Sequence, residues 1–195
     1  MSADQSHGWD EIAERFMAVR SDAGAGLVSA WAKNNLSPGG SVIDVGCGSG
    51  IPVAQALIDA GYDFFGIDAS PAMIAAFHQW QPDAQIACET AQESALFDRL
   101  FDGAIAIGLL FLLSADEQRE VIGRVAGALK PGGRFLFSAP REECEWPDAL
   151  TGRLSRSLGA QAYDRLLRAS GLHLLECSID EGGNNYFDAL KVSGE

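Results

Sequence analysis

A glycine-rich turn and two aspartates carry the chemistry that this sequence could perform. Residues 44–50 read DVGCGSG, and three glycines in five residues let the backbone pass very close to a bound molecule. Asp44 precedes the glycines, where a carboxylate suits a ligand with positive charge better than a pyrophosphate. Asp68 follows the turn, and its carboxylate could accept hydrogen bonds from both hydroxyls of a ribose. The combination predicts a site for a positively charged nucleoside.

Strands and helices must alternate to position these residues. Apolar strands are predicted at 41–45, 63–68, 84–88, 102–108, 134–140, 172–179 and 186–192. Helices are predicted at 10–19, 25–33, 53–60, 72–80, 114–130 and 160–170. Nearly continuous apolar strands are typical of a parallel sheet that is buried on both faces. The pattern predicts an α/β fold with a doubly wound, seven-stranded, mostly parallel sheet and an antiparallel C-terminal strand.

Length, charge and cysteine content narrow the class of protein. The 195 residues predict one domain, 1–195, with an N-terminal helical cap over 1–37 and a ligand-binding core over 40–192. The net charge of −13 disfavours nucleic acid as a partner, because it repels phosphate backbones. The longest apolar run, 104–113, is too short to cross a bilayer, and no signal peptide is visible at the N-terminus. We therefore expect a cytoplasmic monomer or homodimer without a membrane partner. The scattered cysteines and histidines predict no metal site.

Four segments resemble the motifs of the class I S-adenosylmethionine-dependent methyltransferases of the small, single-domain kind. VIDVGCGSG (42–50) is similar to the first motif of the family, and GIDASPAMI (66–74) to the second. FDGAIAIGLLFLL (101–113) and LKPGGRFLFSAP (129–140) resemble the motifs of the fourth and fifth strands. The resemblance implies a Rossmann-like methyltransferase fold with S-adenosyl-L-methionine as the cofactor.

The resemblance also implies which residues would hold the cofactor. The loop at 46–50 would run beneath its methionine part, with Asp44 near the ammonium, while Asp68 would hold the ribose hydroxyls. Thr90 stands where the family often has an acid for the adenine amine, so Ala91 and Gln92 are the candidates there. The full predicted set of cofactor contacts is Arg20, Asp44, Gly46, Cys47, Gly48, Gly50, Asp68, Ala69, Met73, Ala91, Gln92, Gly108 and Leu109. Arg20 would bind the cofactor carboxylate or an anionic acceptor, or would simply be a solvated cation at a helix end.

The methyl acceptor is expected above the carboxyl edge of the sheet. The predicted pocket residues are Trp9, Phe16, Phe111, Arg141, Trp146 and Asn185. Methyl transfer from a sulfonium needs mainly the alignment of nucleophile, methyl and sulfur. A general base is needed only if the acceptor carries a proton that it does not shed by itself. The catalytic residue therefore stays open, with Glu142 and Tyr186 as candidates.

Two motifs that the sequence lacks narrow the class of methyl acceptor. No Asn-Pro-Pro-Tyr-like run follows the fourth strand and no Pro-Cys dipeptide occurs, which disfavours methylation of nucleobases. A small-molecule acceptor is therefore expected, and a protein acceptor remains open. Two other hypotheses for the function also remain open. One is a non-catalytic module that binds S-adenosylmethionine, and the other is an NAD-type oxidoreductase. Asp44 and the early position of Gly50 count against the second, since a dinucleotide loop needs its third glycine one residue later.

Overall fold

Strands and helices alternate along the chain in the computed structural model, which describes residues 5, 6 and 8–192. The strands are β1 (Ser41–Val45), β2 (Asp63–Asp68), β3 (Gln85–Cys88), β4 (Phe101–Ala106), β5 (Leu129–Ser138), β6 (Glu143–Pro147), β7 (Leu154–Leu158), β8 (Leu172–Ile179) and β9 (Asn185–Lys191). The helices are α1 (Ala13–Val19), α2 (Ala25–Asn35), α3 (Val53–Asp59), α4 (Pro71–Trp80), α5 (Ala115–Gly127) and α6 (Ala160–Ala169). Short 3-10 turns cover Leu96–Asp98 and Leu110–Leu112.

The main sheet has seven strands in the order β3-β2-β1-β4-β5-β9-β8. Strands β1 to β5 pair in parallel, and β9 runs antiparallel to both of its neighbours. This arrangement confirms the predicted fold class. The chain leaves β1 towards β2 on one side and returns to β4 on the other, so the strand order reverses between β1 and β4. In open α/β sheets, ligands bind in the crevice that such a reversal leaves at the carboxyl ends of the strands.

Helices cover both faces of the sheet because successive strand residues point to opposite sides. All five residues of β1 are buried, as expected for a central parallel strand. On one face, Val42 packs in a cluster with residues of α2, α3 and α4, including Leu57 and Phe77. On the other face, Ile43 belongs to a cluster that contains residues of α5 and α6, including Val125 and Leu167. Because both faces of the sheet are packed against helices, the strands are held in place, and so are the points at which the loops after β1, β2 and β4 leave the sheet.

Sequence signals at two helix starts are confirmed. Ser70 caps α4 by accepting a hydrogen bond from the Met73 amide, with Pro71 in the first helical position. Ser114 caps α5 and forms a capping box with Glu117. These caps matter for the site, since α4 begins directly after β2 and α5 follows the loop after β4.

Three boundaries differ from the sequence prediction by three residues or more. Helix α1 starts only at Ala13, and α5 ends at Gly127, so β5 begins at Leu129 before the Pro-Gly-Gly run. The stretch after β5 is a two-stranded hairpin, β6–β7, where the sequence predicted irregular chain. Strand β6 alternates exposed and half-buried residues over ECEWP, a period-2 pattern that was too short and too polar to stand out. Within the described residues, no helix is long and apolar enough to cross a membrane.

Candidate active site

A cavity of about 380 Å³ lies at the carboxyl ends of β1, β2 and β4, beside the reversal of strand order. All the predicted cofactor contacts line it, together with three of the predicted acceptor residues, Trp9, Phe16 and Phe111. These predicted contacts are Arg20, Asp44, Gly46, Cys47, Gly48, Gly50, Asp68, Ala69, Met73, Ala91, Gln92, Gly108 and Leu109. The sequence therefore predicted which loops meet at this edge of the sheet.

The glycine loop is held against β2 by its own backbone. The amides of Gly46 and Cys47 both donate to the carbonyl of Ile67, at 2.8 and 2.9 Å. The amide of Gly48 donates to Oδ2 of Asp68 at 2.9 Å. These bonds fix the loop across the end of the neighbouring strand, so the loop and Asp68 form one rigid rim of the cavity.

Two glycines in this loop serve different purposes. Both have positive φ, +54° at Gly48 and +82° at Gly50, which side chains rarely adopt. A Cβ at Gly50 would lie 2.4 Å from a ring carbon of Phe77, so the missing side chain allows the loop to pack on α4. A Cβ at Gly48 would meet no protein atom within 4 Å. Gly48 therefore leaves space open at the cavity.

Asp68 is oriented by the backbone and retains room for a ligand. Its Oδ1 accepts a hydrogen bond from the Ser70 amide and its Oδ2 one from the Gly48 amide, both at 2.9 Å. A carboxylate can accept about four hydrogen bonds, so acceptor positions remain for two hydroxyls. Burial raises the pKa of Asp68, and the two backbone hydrogen bonds oppose that shift. The side chain is thus held in one orientation before any ligand arrives.

Asp44 is buried at the floor of the cavity with only 3% of its surface exposed. Its Oδ1 has no hydrogen-bond partner among the described residues. Burial, and then the charge of Asp68, raise the pKa of Asp44 to about 8, while Arg20 opposes the shift. A buried carboxylate oxygen without a partner is costly. This position is therefore suited to a cationic group of a ligand.

The predicted acceptor residues of the loop at 141–146, Arg141 and Trp146, lie outside the cavity lining. Arg141 and Glu142 are exposed at the start of the hairpin. Trp146 packs its ring against Phe111, with centroids 5.5 Å apart, and so supports the cavity wall from behind. Glu142 does not line the cavity either.

The predicted residues of β9 also lie outside the lining. Asn185 pairs with Ile179 at the end of β8. Tyr186 is buried with 2% of its surface exposed, and its hydroxyl donates to Oδ2 of Asp180 at 3.0 Å. Burial, followed by the bond to Asp180, raises the pKa of Tyr186. The hydroxyl supports the turn between β8 and β9, and Tyr186 is not among the residues that line the cavity.

Sequence reasoning missed other lining residues. They are Gln5, Ser6, Ser49, Ile51, Val53, Ile107, Leu112, Leu113, Asp148, Ala149 and Leu150. Outside the β6–β7 hairpin, each of them lies within four residues of a predicted lining residue in the chain, and this proximity was the available signal. The exception is the hairpin turn, where Oδ1 of Asp148 accepts hydrogen bonds from the amides of Leu150 and Thr151. Pro147-Asp148 is typical of such a turn, but nothing in the sequence indicates that it folds over the cavity.

Comparisons with known proteins agree with this geometry. Residues 42–133 match the family model described as a methyltransferase domain. The chain is 29% identical over 171 residues to ribosomal protein L11 methyltransferase of Symbiobacterium thermophilum, covering 80% of this chain and 55% of that protein. It is 28% identical over 160 residues to O-methyltransferase resE of Aspergillus sclerotiorum, covering 74% and 59%. The chain thus spans little more than half the length of these relatives.

A solved structure extends the likeness across the whole fold. The Burkholderia thailandensis 1,6-didemethyltoxoflavin-N1-methyltransferase, with bound 1,6-didemethyltoxoflavin and S-adenosylhomocysteine, superposes with a TM-score of 0.73. It is 19% identical, and the match covers 99% of this chain and 92% of that one. The seven-stranded sheet and the glycine loop at its edge define a Rossmann-like methyltransferase fold. Residues 42–133 thus resemble a methyltransferase domain, and the fold that contains them is the fold of the class I S-adenosylmethionine-dependent methyltransferases.

Proposed function

We propose that the protein binds S-adenosylmethionine in the cavity and transfers its methyl group to a small-molecule acceptor. The observation that carries this proposal is the pair formed by Asp44, whose buried Oδ1 lacks a partner among the described residues, and Asp68, oriented above an open glycine loop. When bound, S-adenosylmethionine supplies an electrophilic methyl group on a sulfonium. The division into a helical cap and a ligand-binding core is part of the same proposal.

Each end of the cavity would bind a different part of the cofactor. Asp44 would face its cationic amino group, because no described residue of the protein satisfies Oδ1 of that carboxylate. Asp68 would accept the two ribose hydroxyls with its remaining acceptor positions. Ala69 and Met73 would flank the adenine, and Arg20 would face the cofactor carboxylate. Arg20 is the only cation among the described lining residues, which fits a ligand with a single carboxylate.

The remaining walls favour an apolar acceptor of small size. The rings of Trp9 and Phe16 contact each other edge to face, with centroids 5.2 Å apart. Phe111, which packs on Trp146 of the hairpin, and Leu150 of the hairpin turn also line the cavity. Apolar walls with few polar groups are typical of small-molecule sites. In this cavity the chain's contribution to catalysis would be the alignment of the acceptor with the methyl group and the exclusion of water.

The similarity to known proteins supports the assignment as a methyltransferase. It leaves two classes of methyl acceptor to test, a small molecule and a protein. One relative is named an O-methyltransferase, and the solved neighbour is a 1,6-didemethyltoxoflavin-N1-methyltransferase. Another relative is named a ribosomal protein L11 methyltransferase. The enclosed apolar walls of this chain favour the small molecule.

The proposal is tested with S-adenosylmethionine carrying a labelled methyl group. The protein is incubated with a cell extract that has been divided by size into small metabolites and macromolecules. Asp68→Ala, which should bind the cofactor at least about tenfold more weakly, serves as the control at a cofactor concentration near the Kd of the original chain. We expect label in the small-metabolite fraction only. Label in the protein fraction would replace the small molecule by a protein acceptor. Saturable binding of S-adenosylhomocysteine without any transfer would indicate a non-catalytic module, and binding of NADH instead would overturn the whole proposal.

A further inference from the structure

The segment that covers the cavity is attached to the sheet domain beside the ribose site. Five of its described residues line the cavity: Gln5, Ser6, Trp9, Phe16 and Arg20. Helix α1 within it has seven residues, no side-chain cap at its start, and only Ala13 buried. A helix of this length is not stable by itself in water. Its position must therefore come from contacts that the segment makes with the rest of the chain.

Asp10 makes such a contact with two hydrogen bonds. Its Oδ1 accepts from the hydroxyl of Ser70 at 2.7 Å and from the amide of Ala72 at 2.8 Å. The carboxylate therefore lies at the amino end of the ten-residue helix α4, where free amides and the helix dipole favour a negative charge. The Asp10 amide in turn donates to Oγ of Ser6 at 2.9 Å, and the Trp9 amide donates to the carbonyl of Ser6 at 3.1 Å. Asp10 thus joins the covering segment to α4.

Ser70 connects this contact to the proposed ribose site. Its hydroxyl donates to Asp10, while its amide donates to Oδ1 of Asp68 at 2.9 Å. Ser70 is fully buried. Water can therefore take the place of Asp10 as the hydrogen-bond acceptor of Ser70 only if the covering segment moves away. Burial is the main cause of the raised pKa of Asp68, and the negative charge of Asp10 adds to it. The two carboxylates are therefore close enough to affect each other, with one serine between them.

We propose that Asp10 is a positioning residue that holds residues 8–20 over the bound cofactor. The hydrogen bonds to Ser70 and Ala72 keep Trp9 and Phe16 in place as a cavity wall, and through Ser70 they keep Asp68 in its orientation. This inference rests on the proposed function, because it takes the cavity to bind S-adenosylmethionine. It adds a residue that touches neither cofactor nor acceptor and yet sets how long the cofactor stays bound.

The test compares Asp10→Ala with Glu14→Gln, with S-adenosylhomocysteine as the probe. Glu14 lies on α1 and is exposed, so its replacement removes a negative charge from the same segment without removing the contact to α4. The dissociation rate is measured by stopped-flow fluorescence and the affinity by calorimetry. Hydrogen exchange of residues 8–20 is followed with and without the probe. Exchange of β1 shows that each variant is folded.

For Asp10→Ala we expect a dissociation rate and a Kd that rise roughly 5- to 30-fold, as loss of hydrogen bonds to a charged group predicts. Exchange of residues 8–20 should become faster in the ligand-free protein, while β1 stays protected. Glu14→Gln should match the original chain in every measurement.

Several results would overturn the inference. An unchanged dissociation rate in Asp10→Ala would remove the positioning role, even if exchange became faster. Weaker binding with unchanged exchange of residues 8–20 would mean that the Asp10 charge acts on Asp68 without holding the segment. If the original chain does not bind the probe, the proposed function fails, whereas exchange in the ligand-free protein still decides whether Asp10 holds the segment.

Discussion

Replacing Gly48 by alanine tests whether the glycine loop lies against a ligand. A Cβ at this position would meet no protein atom within 4 Å, so the new methyl group would enter the cavity that Gly48 lines. A methyl group forced into a close-packed contact typically costs about 1–3 kcal/mol. That cost corresponds to a Kd for S-adenosylhomocysteine that is roughly 5- to 150-fold higher. The expected rise in Kd requires no movement of residues outside the loop.

Backbone strain must be separated from this contact, and Gly61 provides the matched control. Gly61 also has a positive φ, +83°, and a Cβ there would likewise meet nothing within 4 Å, but it is exposed at the end of α3 and does not line the cavity. Both alanine variants should therefore lose stability through the left-handed conformation, by about 1 kcal/mol each. Calorimetric titration should find weaker binding in Gly48→Ala alone. Equal affinity in the two variants would refute the placement of a ligand against Gly48.

Three further predictions concern the same edge of the sheet. Asp68→Ala should weaken binding of S-adenosylhomocysteine by at least about tenfold, because two charge-assisted hydrogen bonds are lost, and unchanged affinity in the same titration would exclude the ribose role. Burial raises the pKa of Asp44 from 3.8, its ordinary value in the unfolded chain, to about 8 in the folded protein. Between these two pH values the unfolded chain loses the proton and the folded protein keeps it, so the free energy of unfolding falls as the pH rises from 4 to 8. In ligand-free protein, Asp44→Asn should therefore raise the Tm at pH 8 and leave it unchanged at pH 4, and a Tm difference independent of pH would contradict this. Gly50→Ala should lower the Tm even without ligand, since the added Cβ would lie 2.4 Å from the Phe77 ring, and a Tm equal to that of Gly61→Ala would show that the loop yields freely.

Local chemistry made much of the fold predictable from the sequence. The apolar strands, the glycine turn after β1 and the caps at Ser70 and Ser114 are all written in short segments, and each is found in the structure. The cofactor loops were predictable for the same reason, since the carboxyl ends of parallel strands meet at one edge. The prediction for Asp44 could name a nearby positive charge, but not the raised pKa, which depends on burial by distant residues.

The sequence was least informative where the position of a residue depends on contacts between distant parts of the chain. Tyr186 and Asn185 were predicted in the pocket because their turn lies at the correct edge, but the direction of the Tyr186 side chain is set by Asp180. The hairpin β6–β7 pairs within itself, so its sequence indicates little about where it packs. Asp10 carried no signal at all, because its partners Ser70 and Ala72 are about sixty residues away in the chain.

Because of the hairpin β6–β7, the shape of the cavity mouth and the strand pairing of the main sheet depend on different segments of the sequence. The hairpin is separate from the main sheet, and its two strands pair with each other as a second sheet. Its turn at Asp148 to Leu150 lines the cavity. Substitutions or insertions in that turn can reshape the mouth of the cavity while the register of the seven strands stays the same. The turn is therefore the segment in which acceptor choice can diverge among descendants of one gene, or be redesigned in the laboratory, at little cost to the folding of the rest.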